Sequence, residues 1–497
     1  MSKKIFKEIP LGQSIPINNI HAVSVSMPKL QHVIDYEEQT PQIVEQIVTA
    51  YPRFILHPYL KQMALYIKKK YKVSDDFEVV VVSSQKAVKI IADKYFIHNS
   101  INVDENFGII LVLKNTCQLQ KVLKFIQHVG CNLSSRFAQD YLYDLGLLKN
   151  KHEEVLYPDE NKAQDVLLNN IAAAYKQKKE NLCLSPSGMN SIYSALKGIK
   201  SIGAKNGRTI LVQLGWLYLD TMNVVKNHHN ESKIFYDIKK LSLLEEYLKS
   251  HGLQVSAIVT ELPTNPLLLS VDIIALSALC KKYNIPLIVD ATFATPYNIN
   301  LKPYADIMIE SLTKYACGNA DVLMGVLILN ENSPLSFCKE EFFKHCDKPY
   351  IKDIQRLAYQ SSFYEKRMQK INANTIKLIK YLEKAPFVDE LFHTLKEENY
   401  VKVMEHKEAV GGIISLTFNK SFQKVYDLLN FPKGPSLGTE FTLLMPYVYL
   451  AHYDFITCEK GRNFLKQNNI PIDLIRIAVG IEDIEDIIEE FERIKEL

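Results

Sequence analysis

The sequence holds 497 residues, more than one hydrophobic core can serve, so two or three domains are expected. Apolar residues make up 47% and charged residues 23%, the balance of a globular chain rather than a disordered one. With 59 Lys and Arg against 56 Asp and Glu, the net charge of +3 gives no electrostatic ground for nucleic acid or an anionic membrane as partner.

Eight cysteines occur without CxxC or Cys/His ligand spacing, which argues against a zinc site and a disulfide framework and suits a reducing compartment. The stretch MSKKIFKEIPLGQ lacks the apolar segment of a signal peptide, and the longest apolar runs fall short of a membrane span. A soluble, cytoplasmic protein is the expectation.

Residues 1–54 read as an arm, extended and Pro-containing at first (IPLGQSIPINN) and helical around TPQIVEQIVTAY. Residues 55–150 alternate in character. HPYLKQMALYIKKKY, SQKAVKIIADKYF and TCQLQKVLKFIQHV have helical spacing, and FEVVVV and FGIILVL read as buried strands. That pattern predicts a small inserted α/β unit. No glycine-rich turn follows either strand, which argues against a nucleotide site there. The polar stretch 150–164 reads as a linker.

Residues 151–344 give a series of apolar strands: RTILVQL, VSAIVTEL, IPLIVDAT, ADIMIES and VLMGVLIL. Helical segments such as NSIYSALKGIKS and DIIALSALCKKYN separate them, the signature of a mostly parallel sheet wrapped by helices. Residues 345–497 differ. A long polar-rich helical region (353–385) precedes GGIISLTF and IDLIRIAVGIED, which predicts a smaller α+β domain. No internal repeat is apparent.

Four features of the central region bear on chemistry. Ser185-Pro186-Ser187-Gly188-Met189-Asn190 opens a helix, either as an ordinary N-cap or as a phosphate site built on free amides and the positive helix end. Asn265 sits between two prolines after a buried strand, as a turn residue or as a rigidly positioned contact at the edge where such sheets bind ligands. Asp290 ends a wholly apolar strand, where a carboxylate is a helix cap or needs a cationic partner. Lys314 follows the strand ADIMIE within SLTKYACG, as a solvated lysine or as one held in a pocket to form a Schiff base. A phosphate turn, an asparagine, an aspartate and a lysine in that order match the needs of pyridoxal 5′-phosphate (PLP): phosphate holder, ring-nitrogen partner and imine-forming amine.

The run ELPTNPLL…VDATFATPY…SLTKYACGNADVLMG resembles the Cys/Met-metabolism family of PLP-dependent enzymes, from about residue 165 to the end. HAVSVSMP, YPRF, SSRFAQDYL, GWLYLDT, KGPSLGTEFTL, PYVYLAHY and LIRIAVGIED further resemble its fungal-type cystathionine γ-synthase branch. The resemblance implies the type I aminotransferase-like fold with PLP as cofactor. It makes Lys314 the Schiff-base lysine, and Ser311, Thr313, Gly188 and Met189 the phosphate binders. Asp290 becomes the ring-nitrogen partner and Asn265 the contact to the ring oxygen. Tyr218 falls where the family stacks a tyrosine on the ring, with Trp216 as rival; it is also the acid–base assistant of Lys314. Arg476 matches the clamp on the substrate α-carboxylate, and Ser436 lies in the substrate loop. Tyr51 and Arg53 resemble the pair that reaches the phosphate of a neighbouring subunit, which implies a homodimer or homotetramer.

The sequence departs from the common pattern by inserting over a hundred residues after YPRF, by Ala291 where asparagine is common, and by Asn319-Ala320 where His-Ser is common. The implied reaction is γ-replacement on an O-activated homoserine by cysteine, giving cystathionine, with small amino acids as the substrates. Acylhomoserine sulfhydrylation, cystathionine lysis and a non-catalytic binding homologue are the alternatives.

Overall fold

The computed structural model describes residues 6–47, 55–102, 106–229 and 231–497. Its centre is a seven-stranded sheet in the order Leu182–Ser185, Gly325–Leu329, Ile307–Glu310, Leu287–Asp290, Val255–Glu261, Ile210–Leu214, Glu231–Phe235. Gly325–Leu329 runs antiparallel to both neighbours, and the pairs from Ile307–Glu310 to Glu231–Phe235 are parallel. Each apolar run foreseen in the sequence is a strand here, because a sheet covered on both faces demands side chains that are apolar on both. Two other strands escape that signal. Leu182–Ser185 has four residues, and Glu231–Phe235 is an edge strand whose first three residues are exposed.

Helix layers cover both faces. On one lie Glu160–Ala174 and Ile351–Ser361, whose Leu167, Ile171, Ile354 and Leu357 share a core with Val289 and Met308. On the other lies Gly188–Lys205, whose Ile192, Leu196 and Ile199 pack on Ile288 and Ile309. The region read as one long helix is two, Ile351–Ser361 and Tyr364–Leu382. Ser361 and Ser362 both turn their hydroxyls back to Ala358 O (3.1 and 3.2 Å), a local bond that competes with helix continuation.

Within the stretch 55–150, Phe77–Val82, Gly108–Leu113 and Ser100–Ile101, in spatial order, make a three-stranded antiparallel sheet between two helix pairs. Val79, Val81 and Ile109 face Pro58–Lys70 and Ser135–Asp144. Val80, Val82, Ile110 and Val112 face Gln85–Tyr95 and Cys117–Val129, and this second core continues into Met189, Ile192 and Leu217. Buried Arg136, from SSRFAQDYL, pins the unit by ion pairs to Glu154 (2.6 Å) and Asp353 (2.9 Å).

The C-terminal part carries an antiparallel sheet, Val388–Phe392, Ile413–Phe418, Ile475–Ala478 and Leu443–Pro446 in spatial order. The arm docks on it. The helix Leu30–Glu37, not foreseen in the sequence, places Leu30 and Val33 beside Leu416, Phe431 and Ile477. The hairpin of Ser14–Ile15 and Ser24–Val25 brings Ser24 Oγ to Pro435 O (2.6 Å). Among the described residues, no helix is long and apolar enough to cross a membrane.

Lys433, beside that hairpin, is 1% exposed. Its Nζ donates to Pro28 O (2.7 Å) and lies 4.8 Å from the Tyr426 ring centroid. Burial, with the Lys29 charge next in weight, pulls its pKa from 10.5 down to about 7. Between those values the unfolded chain binds a proton that the folded protein releases, so this residue makes stability rise with pH from about 7 toward 10.5. Lys433→Met removes that contribution. Urea midpoints compared at neutral and alkaline pH should rise less in the variant than in the parent.

Candidate active site

The C-terminal ends of the central strands open into one cavity, whose wall includes Gly188, Met189, Tyr218, Glu261, Asn265, Asp290, Ser311, Lys314, Ser436 and Arg476. Most residues singled out from the sequence therefore meet here. Thr313 does not line it: its hydroxyl is engaged with the Met324 backbone, accepting from N–H at 3.0 Å and lying 3.3 Å from O. Tyr51 and Arg53 lie outside the described residues. Trp216 is packed away among Tyr236, His452, Phe455 and Phe464, so of the two aromatic rivals it is Tyr218 that faces the cavity.

At one end, Ser187 caps the helix Gly188–Lys205, accepting from Asn190 N–H (3.1 Å). Helix geometry leaves the Gly188 and Met189 amides without intrahelical acceptors, in the positive end of the dipole. A Cβ on Gly188 would sit 2.7 Å from Ser311 Cβ, so only glycine keeps this corner open. Ser311 N–H is held by Thr292 Oγ1 (2.9 Å), and Thr292 N–H donates to Asp290 Oδ1 (2.9 Å).

In the middle, Asp290 and Glu261 are register partners on adjacent parallel strands, which sets two carboxylates side by side. Glu261 accepts from Tyr218 N–H at 2.6 Å. Burial raises both pKa values, and at Glu261 the Asp290 charge beside it adds to the rise. Glu261, inside ELPTNP, carries the same sequence signal as Asp290, a carboxylate closing an apolar strand. Behind them buried Glu310 accepts from Tyr175 (2.6 Å) and Tyr364 (2.7 Å), with its pKa pushed up to about 7, chiefly by burial.

At the other end, Arg476 is 4% exposed. Nη1 donates to Asn265 Oδ1 (3.1 Å) and Nη2 to Ser436 O (2.8 Å), beside Met445 Sδ and the Tyr447 ring; none of these is a carboxylate. Burial lowers its pKa. A buried guanidinium held by neutral acceptors is poised for an anionic ligand. Lys314 Nζ donates to Ser436 Oγ (3.0 Å), and Ser436 itself is held at φ 98, a strained conformation for a residue with a side chain. Gly438 keeps the same loop against the lysine, since a Cβ there would lie 2.7 Å from Tyr315 N.

This donor set fits PLP. A buried carboxylate pair awaits a ring N–H⁺, open helix amides await a phosphate, and an amine sits between them.

The family model for Cys/Met metabolism PLP-dependent enzymes matches residues 126–494. The chain belongs to this family. Its cofactor is pyridoxal phosphate and its fold is the type I aminotransferase-like one. Relatives align along nearly the whole chain. One is an L-2-amino-4-chloropent-4-enoate dechlorinase/desaturase of Streptantibioticus cattleyicolor, 32% identical and covering 95% of this chain and 96% of that protein. Another is a cystathionine gamma-synthase of Neurospora crassa, 25% identical and covering 97% of each. Among solved structures, a cystathionine gamma-lyase of Lactobacillus plantarum complexed with L-serine superposes with TM-score 0.57 at 22% identity, over 70% of this chain and 91% of that one.

Gly188→Ala should weaken PLP binding by about a hundredfold, the cost of closing a close-packed corner (a few kcal/mol). Titration of the apoprotein with PLP, read by absorbance, measures it.

Proposed function

We propose that the protein cleaves the bond between Cγ and a leaving group in a linear L-α-amino acid, acting on an O-activated homoserine with cysteine as acceptor to form cystathionine. The carrying observation is Ser436, whose hydroxyl accepts from Lys314 Nζ while its carbonyl accepts from Arg476. Through this one residue, the base and the α-carboxylate clamp are tied together at a fixed spacing. A substrate fixed by its carboxylate at Arg476 then presents Cα and Cβ to one tethered amine.

PLP supplies the electron sink that makes the Cα proton removable. Asp290, paired with Glu261 at the strand ends, would hold the proton on the ring nitrogen. The amine of Lys314 takes the Cα proton and moves a proton at Cβ, which lets the Cγ substituent depart. Tyr218, at the cavity wall, assists these transfers as acid or base. Tyr51 and Arg53 complete the phosphate site of a second copy in this reading, and sedimentation velocity of the holoprotein should give a dimer or larger species.

A second reading is elimination from Cγ without an external thiol. Two observations favour it. The relative at 32% identity is named for a dechlorination, and much of the cavity wall is apolar, with Leu219, Phe293, Leu437, Met445, Leu450 and Ala451 among its residues. Purified holoprotein given O-acetyl-, O-succinyl- and O-phosphohomoserine and a 4-chloro amino acid, each with and without cysteine, separates the two by mass spectrometry. Cystathionine supports replacement; an unsaturated amino acid or a 2-oxo acid with ammonia, indifferent to cysteine, supports elimination. Release of the Cγ substituent from none of them would sink both.

Lys314→Ala should lower turnover by about a thousandfold or more, the scale of a lost general base. Arg476→Ala should raise KM about a hundredfold through loss of the two-pronged contact. Steady-state kinetics on the best donor checks both.

A further inference from the structure

The helix Cys117–Val129 of the 55–150 unit ends head-on against the start of Gly188–Lys205. Ser187 Oγ donates to Gly130 O at 2.9 Å, and Asn190 Nδ2 reaches Val129 O at 3.5 Å. The carbonyl end of one helix thus meets the amide end of the other, opposite partial charges in contact. Gly130 is αL at φ 70, and a Cβ there would lie 2.0 Å from Ser187 Oγ, so the approach requires glycine.

A second strut closes the loop. Asn190 Oδ1 accepts from Asp347 N–H (3.0 Å). The Asp347 carboxylate accepts from Ser83 Oγ (2.7 Å), Ser84 Oγ (2.9 Å) and Lys86 Nζ (3.0 Å), all from the unit. Ser83 N–H returns to Cys131 O (3.0 Å), next to Gly130. Ser187, Asn190, Asp347 and Ser83 are all buried, so water does not replace a broken member cheaply.

We propose that the 55–150 unit is a positioning element for the cofactor phosphate: the Gly130–Ser187 latch fixes the turn and occupies its outer side, leaving the Gly188 and Met189 amides for the anion. This rests on the assignment of that turn to the phosphate. Ser187 and Asn190 act through the backbone they hold.

The test uses the full-length protein stripped of cofactor. Ser187→Ala, Gly130→Ala and the conservative Ser187→Thr are titrated with PLP, read by absorbance and by the ³¹P shift of the bound phosphate, with melting temperatures of each apoprotein. Ser187→Ala should weaken PLP about tenfold, the scale of one buried hydrogen bond, and move the ³¹P resonance. Gly130→Ala should weaken it further, and Ser187→Thr should restore most of the affinity. Parental PLP affinity and ³¹P shift in Ser187→Ala and Gly130→Ala, even with a lowered apoprotein melting temperature, would overturn the proposal. Failure of the parent protein itself to take up PLP would overturn the phosphate assignment and the latch together.

Discussion

The organising constraint is charge buried without its opposite. Asp290 and Glu261 sit side by side in the cavity, and among the described residues Arg476, at its far end, has neutral acceptors on its guanidinium. Left to themselves such groups would move together or exchange protons. Asn265 and Ser436 hold Arg476 where it is, and the strands hold the carboxylates. In the reading proposed above, a protonated ring nitrogen and a substrate α-carboxylate would supply the opposite charges, so binding and catalytic readiness would come from one arrangement.

Where these side chains meet was partly legible in the sequence, for a physical reason. A strand buried on both faces is an apolar run, and the chain that leaves its C-terminal end passes the ligand edge. Asp290 ends such a strand, and Asn265 and Lys314 follow closely on the strands that end at Glu261 and Glu310. What depends on partners far along the chain was not legible. The Thr313 hydroxyl looks as free as that of Ser311 until Met324 comes round to engage it. Trp216 and Tyr218 differ by two positions, and only the packing of Phe455 and Phe464 decides which is turned away. Glu261 gains its meaning from the register with Asp290, which no local pattern encodes. The break at Ser361–Ser362 is local, yet serine is tolerated in helices often enough that the pair did not announce it.

The N-terminal segments, about which the sequence said least, turn out to press on both ends of the cavity. The arm's hairpin holds Pro435, one residue before Ser436, and the α/β unit holds Ser187, one residue before Gly188. The rigid part of the site is supplied by the sheet, and its two loops are steadied from outside.

That hairpin contact has a bearing on how the protein is made. Ser24 and Pro435 are 411 residues apart in the chain. A ribosome delivers the hairpin first and its acceptor near the end, so Val25, Met27, Leu30 and Val33 wait uncovered through most of synthesis. Contacts of such long sequence separation form late, and the apolar surface they will cover is exposed to self-association meanwhile. The loop that carries Ser436 therefore takes its final shape only after the 411-residue span between hairpin and acceptor has emerged. A product that stops before Pro435, whatever cofactor it captures, lacks that part of the cavity wall.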